Sequence, residues 1–147
     1  MSYGLQWDLN KKDIRETLLI SAILLGLLTP VAIIWPGSNA PHYRSFEFIV
    51  KMGASGIAAA VIEETFFRGW LQTLFRRRMS AITAIIFVNL IFAPIHLIVH
   101  PHPMSLLTFF PGLVMGALRE KYDNIFPAIL FHCLGNIWAI WLYPSAM

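Results

Sequence analysis

Four stretches of the chain, residues 17–35, 81–99, 104–118 and 125–143, contain no Asp, Glu, Lys or Arg, and a fifth, 52–75, is apolar except at three positions. An α-helix of about 20 apolar residues is long enough to cross the hydrocarbon of a bilayer, where every backbone polar group must be satisfied internally. Composition agrees: 57% of the residues are hydrophobic and only 13% charged, against roughly a quarter charged in soluble domains. Mean hydropathy is +0.64. The sequence therefore predicts an all-α, polytopic integral membrane helical bundle of about five transmembrane spans, folded as a single membrane-embedded domain over residues 1–147.

Local signals place the ends. Pro36-Gly37 ends the first run, Ser45 is a candidate cap before Phe46, and Pro101 with Pro103 marks the turn after the third. No internal repeat or low-complexity linker is present. Lys11, Lys12 and Arg15 before the first run, with Ser38-Asn39-Ala40 after it, resemble a signal peptide. The run is longer than a usual h-region and Pro41 follows the would-be cut, so a retained anchor is expected. Lys11, Lys12, Arg15, Arg76, Arg77, Arg78, Arg119 and Lys121 then fall on one side and only Arg44 and Lys51 on the other. That bias places the N-terminus in the cytoplasm and the C-terminal residues 144–147 outside. It also accounts for the net charge of +3 without an anionic partner, and no nucleic-acid binding is expected. The single cysteine, Cys133, excludes an internal disulfide and reads as buried filler. Arg76-Arg77-Arg78 reads as a topology signal first and a lipid-headgroup patch second.

The three exceptions in residues 52–75 are Glu63, Glu64 and Arg68. A charge at that depth costs roughly 3 kcal/mol or more unless something offsets it. At about 100° per residue, Glu64 and Arg68 lie about 40° apart on one helix face and can pair, whereas Glu63 points about 140° away from Arg68. Glu64 and Arg68 thus read as structural support, and Glu63 is left to act as a general base with partners of its own.

Other spans offer those partners. Phe92 and His96 share a face of the third run, and His132 and Asn136 share a face of the fifth. Residues 132–136 straddle the middle of their run, level with Glu63. His96 lies about 9 Å from the centre of its own run, so the sequence predicts tilt or a break at Pro94 to bring it across. Each group has an ordinary explanation alone: a histidine bonding a carbonyl, an asparagine gluing helices, a phenylalanine packing. Two carboxylates, an arginine, two histidines and an amide together are costly to justify as packing. His42, His100 and His102 lie in loops and read as interfacial.

In order along the chain these groups spell EExxxR (Glu63-Glu64-Thr65-Phe66-Phe67-Arg68), FxxxH (Phe92-Ala93-Pro94-Ile95-His96) and HxxxN (His132-Cys133-Leu134-Gly135-Asn136). The pattern resembles the CAAX prenyl endopeptidase and bacteriocin-processing protease family, also called the ABI family. Gly69-Trp70-Leu71-Gln72 and Gly116-Ala117-Leu118-Arg119 add to the likeness, which covers about residues 46–143. Members usually have more spans, so the chain looks like a minimal core. The resemblance implies a glutamic-type intramembrane endopeptidase without cofactor or metal. Glu63 and His96 would activate water, His132 and Asn136 would stabilise the oxyanion, and Glu64, Arg68 and Phe92 would support them. Its substrate would be a membrane-anchored protein or peptide, cut within the lipid bilayer. Two other readings remain open: a zinc metalloprotease with Glu63, His96 and His132 as ligands, and a non-enzymatic membrane scaffold or immunity-type factor.

Overall fold

The structure, a computed structural model, describes residues 6–35, 39–99 and 101–143. Pro36-Gly37, Ser38, His100 and residues 144–147, which figure among the expected boundaries, loops and terminus, lie outside the described residues. Regular structure among the described residues is all helical: α1 (Lys11–Ile34), α2 (Phe46–Glu64), a π-helical segment (Thr65–Leu71), α3 (Gln72–Arg76), α4 (Ala81–Val99), a 3-10 turn (Pro103–Thr108), α5 (Phe109–Tyr122) and α6 (Phe126–Leu142).

Short polar side chains start the helices. Asn10 accepts from the Lys12 amide at 2.9 Å, and Ser45 caps α2 as expected, accepting from Phe48 at 3.2 Å. Ser80 accepts from the Thr83 amide at the start of α4, and the buried Asn124 receives the Phe126 amide at the start of α6. The run 104–118, expected as one span, is divided: its first part is the 3-10 turn, capped by His102, and α5 continues beyond it to Tyr122. Pro103 at the head of the turn lacks an N–H, which suits a tight first turn and not a helix interior.

The bundle buries polar and charged groups within an apolar core and is apolar outside. α1 buries Thr17 and Ser21 and exposes Leu18, Leu19, Ile23, Leu27 and Leu28. Glu64, Arg68, Gln72 and Asn89 are buried among Phe67, Val88, Phe92, Met115 and Phe131. An outer surface of aliphatic side chains over charged interior groups is stable only in a hydrocarbon solvent, so this is a membrane protein. Lys11–Ile34 and Ala81–Val99 are long and apolar enough to cross a membrane, and Phe126–Leu142 is a shorter apolar helix.

α6 packs against α1, α2 and α5, while α4 packs against α5 and α3. The Trp138 indole N–H donates to Thr29 at 3.0 Å, tying α6 to α1. Basic residues gather at one end of the bundle. There Lys121 and Tyr122 meet Glu16 at 2.8 and 2.7 Å, and Arg76 meets Glu120 at 2.9 Å. The hydrogen bond to Glu16 raises the pKa of the Lys121 ammonium. At the opposite end, Arg44 donates to the Ile140 carbonyl and His42 to that of Tyr143, satisfying the open end of α6.

α2 and α6 approach closely because Gly56 has no side chain; a Cβ there would lie 3.0 Å from the Asn136 Cβ. We expect Gly56→Val to force the two helices apart and destabilise the protein by about 1–3 kcal/mol. Thermal unfolding in detergent checks this, and an unchanged midpoint would mean that the contact is dispensable.

Candidate active site

The site begins where α2 changes pitch. The Thr65 hydroxyl donates to the Val61 carbonyl at 2.6 Å, and the Thr65 amide is shared between Ile62 and Val61. Competition of this kind loosens an α-helical ladder. The seven residues from Thr65 to Leu71 form the π segment, which closes with the Gln72 amide on the Phe67 carbonyl. Its wider turn leaves Phe67, Arg68 and Gly69 all facing the interior.

Arg68 and Glu64 are both wholly buried and meet at 3.1 Å, as the i, i+4 spacing predicts. The second guanidinium nitrogen, Nη2, donates to Asn89 Oδ1 on α4 and to the Gly112 carbonyl on α5, each at 3.0 Å. The guanidinium lies 4.3 Å from the centre of the Phe92 ring, a cation–π contact in a site without competing water. Phe92 is thus the floor beneath Arg68, and its edge also meets Phe67.

Glu64 Oε1 accepts a second hydrogen bond, from His132 Nδ1 at 2.9 Å. His132 Nε2 then faces Glu63 Oε2 at 3.9 Å. His96 approaches the same oxygen from α4, with Nε2 at 3.6 Å, while its Nδ1 contacts the Phe92 carbonyl at 3.1 Å. A carbonyl only accepts, so His96 Nδ1 carries the hydrogen and Nε2 turns its lone pair to Glu63 unless the ring is doubly protonated. Glu63 Oε2 is shielded from solvent and has no direct hydrogen bond among the described residues. The distances to the two histidines exceed a hydrogen bond. Beside them opens a pocket of about 100 Å³ lined by Glu63, Phe67, Ile95, His96 and Val99.

The structure therefore brings Glu63, His96 and His132 together, and joins Glu64, Arg68 and Phe92 behind them. Asn136 is engaged elsewhere: its amide donates to the Gly56 carbonyl of α2 at 2.9 Å. Of the tilt or break at Pro94 that the sequence predicts, the break is absent: α4 runs through Pro94. The expectation measured each run from its own centre, but the α3–α4 turn sets the register. Arg68 and Asn89 are each eight residues from that turn, and Glu63 and His96 lie about 20 and 23 Å from it along their helices.

Asn89 and Gly112 were not legible as site residues. The available signal was that Asn89 precedes Phe92 by three and His96 by seven, which puts the lone carboxamide of that span on the motif face. Gln72, named in the sequence only as part of the likeness, is buried and donates to the Gly116 carbonyl at 3.1 Å and to Glu120 at 2.9 Å. Cys133 is partly buried, as filler would be. Among the described residues, no three His, Cys, Asp or Glu side chains are placed to hold a metal ion.

A family model described as type II CAAX prenyl endopeptidase Rce1-like matches residues 45–138. No curated protein and no solved structure matches the chain.

Removing Arg68 strands Glu64 as a buried charge. Arg68→Ala should cost about 3–5 kcal/mol, whereas Glu64→Gln with Arg68→Met removes both charges and should recover most of that stability. Thermal midpoints in detergent compare the two; a double variant no more stable than Arg68→Ala would mean that the pair is not the stabilising unit.

Proposed function

The chain belongs to the type II CAAX prenyl endopeptidase Rce1-like family, and we propose that it is a glutamic-type intramembrane endopeptidase. The observation that carries the reading is the convergence on Glu63 Oε2 of His96 Nε2 at 3.6 Å and His132 Nε2 at 3.9 Å, at the edge of a pocket otherwise lined by apolar side chains.

A water held between Glu63 and neutral His96 has two acceptors for its hydrogens, so its oxygen lone pair is free to attack a scissile carbonyl. As the C–O bond forms, the pair takes one proton from the water. Collapse of the tetrahedral intermediate breaks the C–N bond, and the same pair returns that proton to the departing amine. His132 supplies the electrostatic term. Its Nδ1–H is held by Glu64, so in the imidazolium form Nε2–H faces the developing oxyanion.

Asn136 keeps one amide hydrogen beyond that bonded to Gly56, and we assign it as a second oxyanion donor. Phe67, Ile95 and Val99 suit an apolar peptide segment beside the scissile bond. The substrate is accordingly a membrane-anchored protein or peptide entering from the bilayer. The reading includes five spans and a cytoplasmic N-terminus, supported by the gathering of basic side chains at one end of the bundle.

Glu63→Gln and His96→Ala should abolish cleavage while leaving detergent-extracted protein unchanged, since each removes half of the water-activating pair. Cleavage is read as altered C-termini of membrane proteins by mass spectrometry. Full activity of Glu63→Gln would overturn the mechanism, and absence of any cleavage by the wild type would favour a scaffold. Asn136→Ala should lose about 10²–10³ in kcat, with a smaller loss of stability of about 0.5–1.5 kcal/mol from the bond to Gly56. Loss of stability with kcat spared would reduce Asn136 to a brace.

The mechanism needs no Lewis acid, so EDTA and 1,10-phenanthroline should leave activity intact. Activity lost to chelators and restored by added zinc would instead assign Glu63, His96 and His132 as metal ligands.

A further inference from the structure

We infer that Asn89 is a positioning residue: through Arg68 and Glu64 it fixes the ring of His132 against Glu63. The link rests on the proposed mechanism only in that His132 acts in the reaction. It begins with the carboxamide itself. Asn89 Nδ2 donates to the Ile85 carbonyl of its own helix at 2.8 Å, so Oδ1 is the end presented to Arg68. Asn89 is wholly buried, and so is the guanidinium that it receives.

The three acceptors of Arg68 come from three elements, and they are not equivalent. Nη2 is held by Asn89 and Gly112, while Nη1 is directed to Glu64. Because the guanidinium is a rigid plane, fixing Nη2 fixes the direction of Nη1. That in turn places Glu64 Oε1, the atom that receives His132 Nδ1–H. The ring is thereby oriented from its far side, and Nε2 is aimed at Glu63. Histidines at reactive centres take their tautomer and orientation from such a bond on the other nitrogen.

Gly112 completes the fit. A Cβ on it would overlap Asn89 Oδ1 and lie 3.0 Å from Arg68 Nη2. The space over Arg68 thus holds the carboxamide oxygen only because residue 112 has no side chain. The same geometry supplies a rescue. In an Asn89→Ala background, a Gly112→Ser hydroxyl would put an oxygen beside Arg68 from the opposite helix, whereas Gly112→Ala would fill the same volume without one.

The test uses the full chain, ¹⁵N-labelled at histidine and reconstituted in vesicles. Asn89→Leu should move the imidazole ¹⁵N resonances of His132 while leaving those of His42 and His102 in place. It should lower kcat about 10- to 100-fold with KM within about threefold, as expected when a reacting group is displaced by a fraction of an ångström. Asn89→Ala/Gly112→Ser should recover resonance and rate relative to Asn89→Ala/Gly112→Ala. Unmoved His132 resonances in Asn89→Leu would overturn the inference whatever the rate does. Moved resonances at wild-type rate would sustain it and overturn the catalytic role of His132 instead. Should Asn89→Leu not extract as a folded protein, the paired double variants decide alone: identical His132 resonances in the two would overturn the inference.

Discussion

The Arg68 guanidinium donates to Glu64, Asn89 and Gly112, lies over Phe92, and is reached by no solvent. Desolvating a guanidinium is expensive, and its attraction to one carboxylate repays the cost only where the remaining N–H groups are also met. Here Nη2 is met by α4 and α5, while Nε is buried without a hydrogen bond among the described residues, and the ion pair within one helix becomes a joint among several. A helix bundle in hydrocarbon has no hydrophobic force drawing its helices together. Polar contacts of this kind therefore carry much of the specificity of packing, and the Gln72 bonds to α5 repeat the device nearer the basic end of the bundle.

Position along the helices follows from the α3–α4 turn. Once the turn puts Arg68 opposite Asn89, the antiparallel neighbours further out are Glu63 and His96, and the two are brought together by register rather than by distortion at Pro94. The π segment has a separate effect. It leaves Glu63 and Glu64 on regular α-helix and widens only the turn that carries Arg68. The arginine can then reach α4 and α5 without displacing the carboxylates.

Helical class and the pairing that sets Glu64 apart from Glu63 were legible because each depends on local periodicity. Glu64 to Arg68 is an i, i+4 relation, and no tertiary contact is required to see it. The level of His96 was less legible because depth was measured from span centres, whereas register is set by a turn whose geometry the sequence does not print. Asn89 was passed over because a lone carboxamide in an apolar run is usually glue; its meaning depends on Arg68, a residue 21 positions away. The division of residues 104–118 was hidden for a similar reason. Pro103 and the His102 cap determine how the run begins, and composition is blind to both.

The two carboxylates differ in what their surroundings permit. Glu64 has no exposed surface and gives one oxygen to both Arg68 and His132, so it is charged but unreachable. Glu63 keeps 30% of its side chain exposed and stands at the pocket. Burying it as deeply would add a second negative charge to a core with one fixed cation, a cost that hydrocarbon punishes heavily. Partial access to the pocket relieves that cost, although Oε2 itself is shielded from solvent. The place where the fold can tolerate an unpaired carboxylate is therefore beside the pocket, and the inner glutamate is what holds His132 Nδ1 and turns the ring towards it.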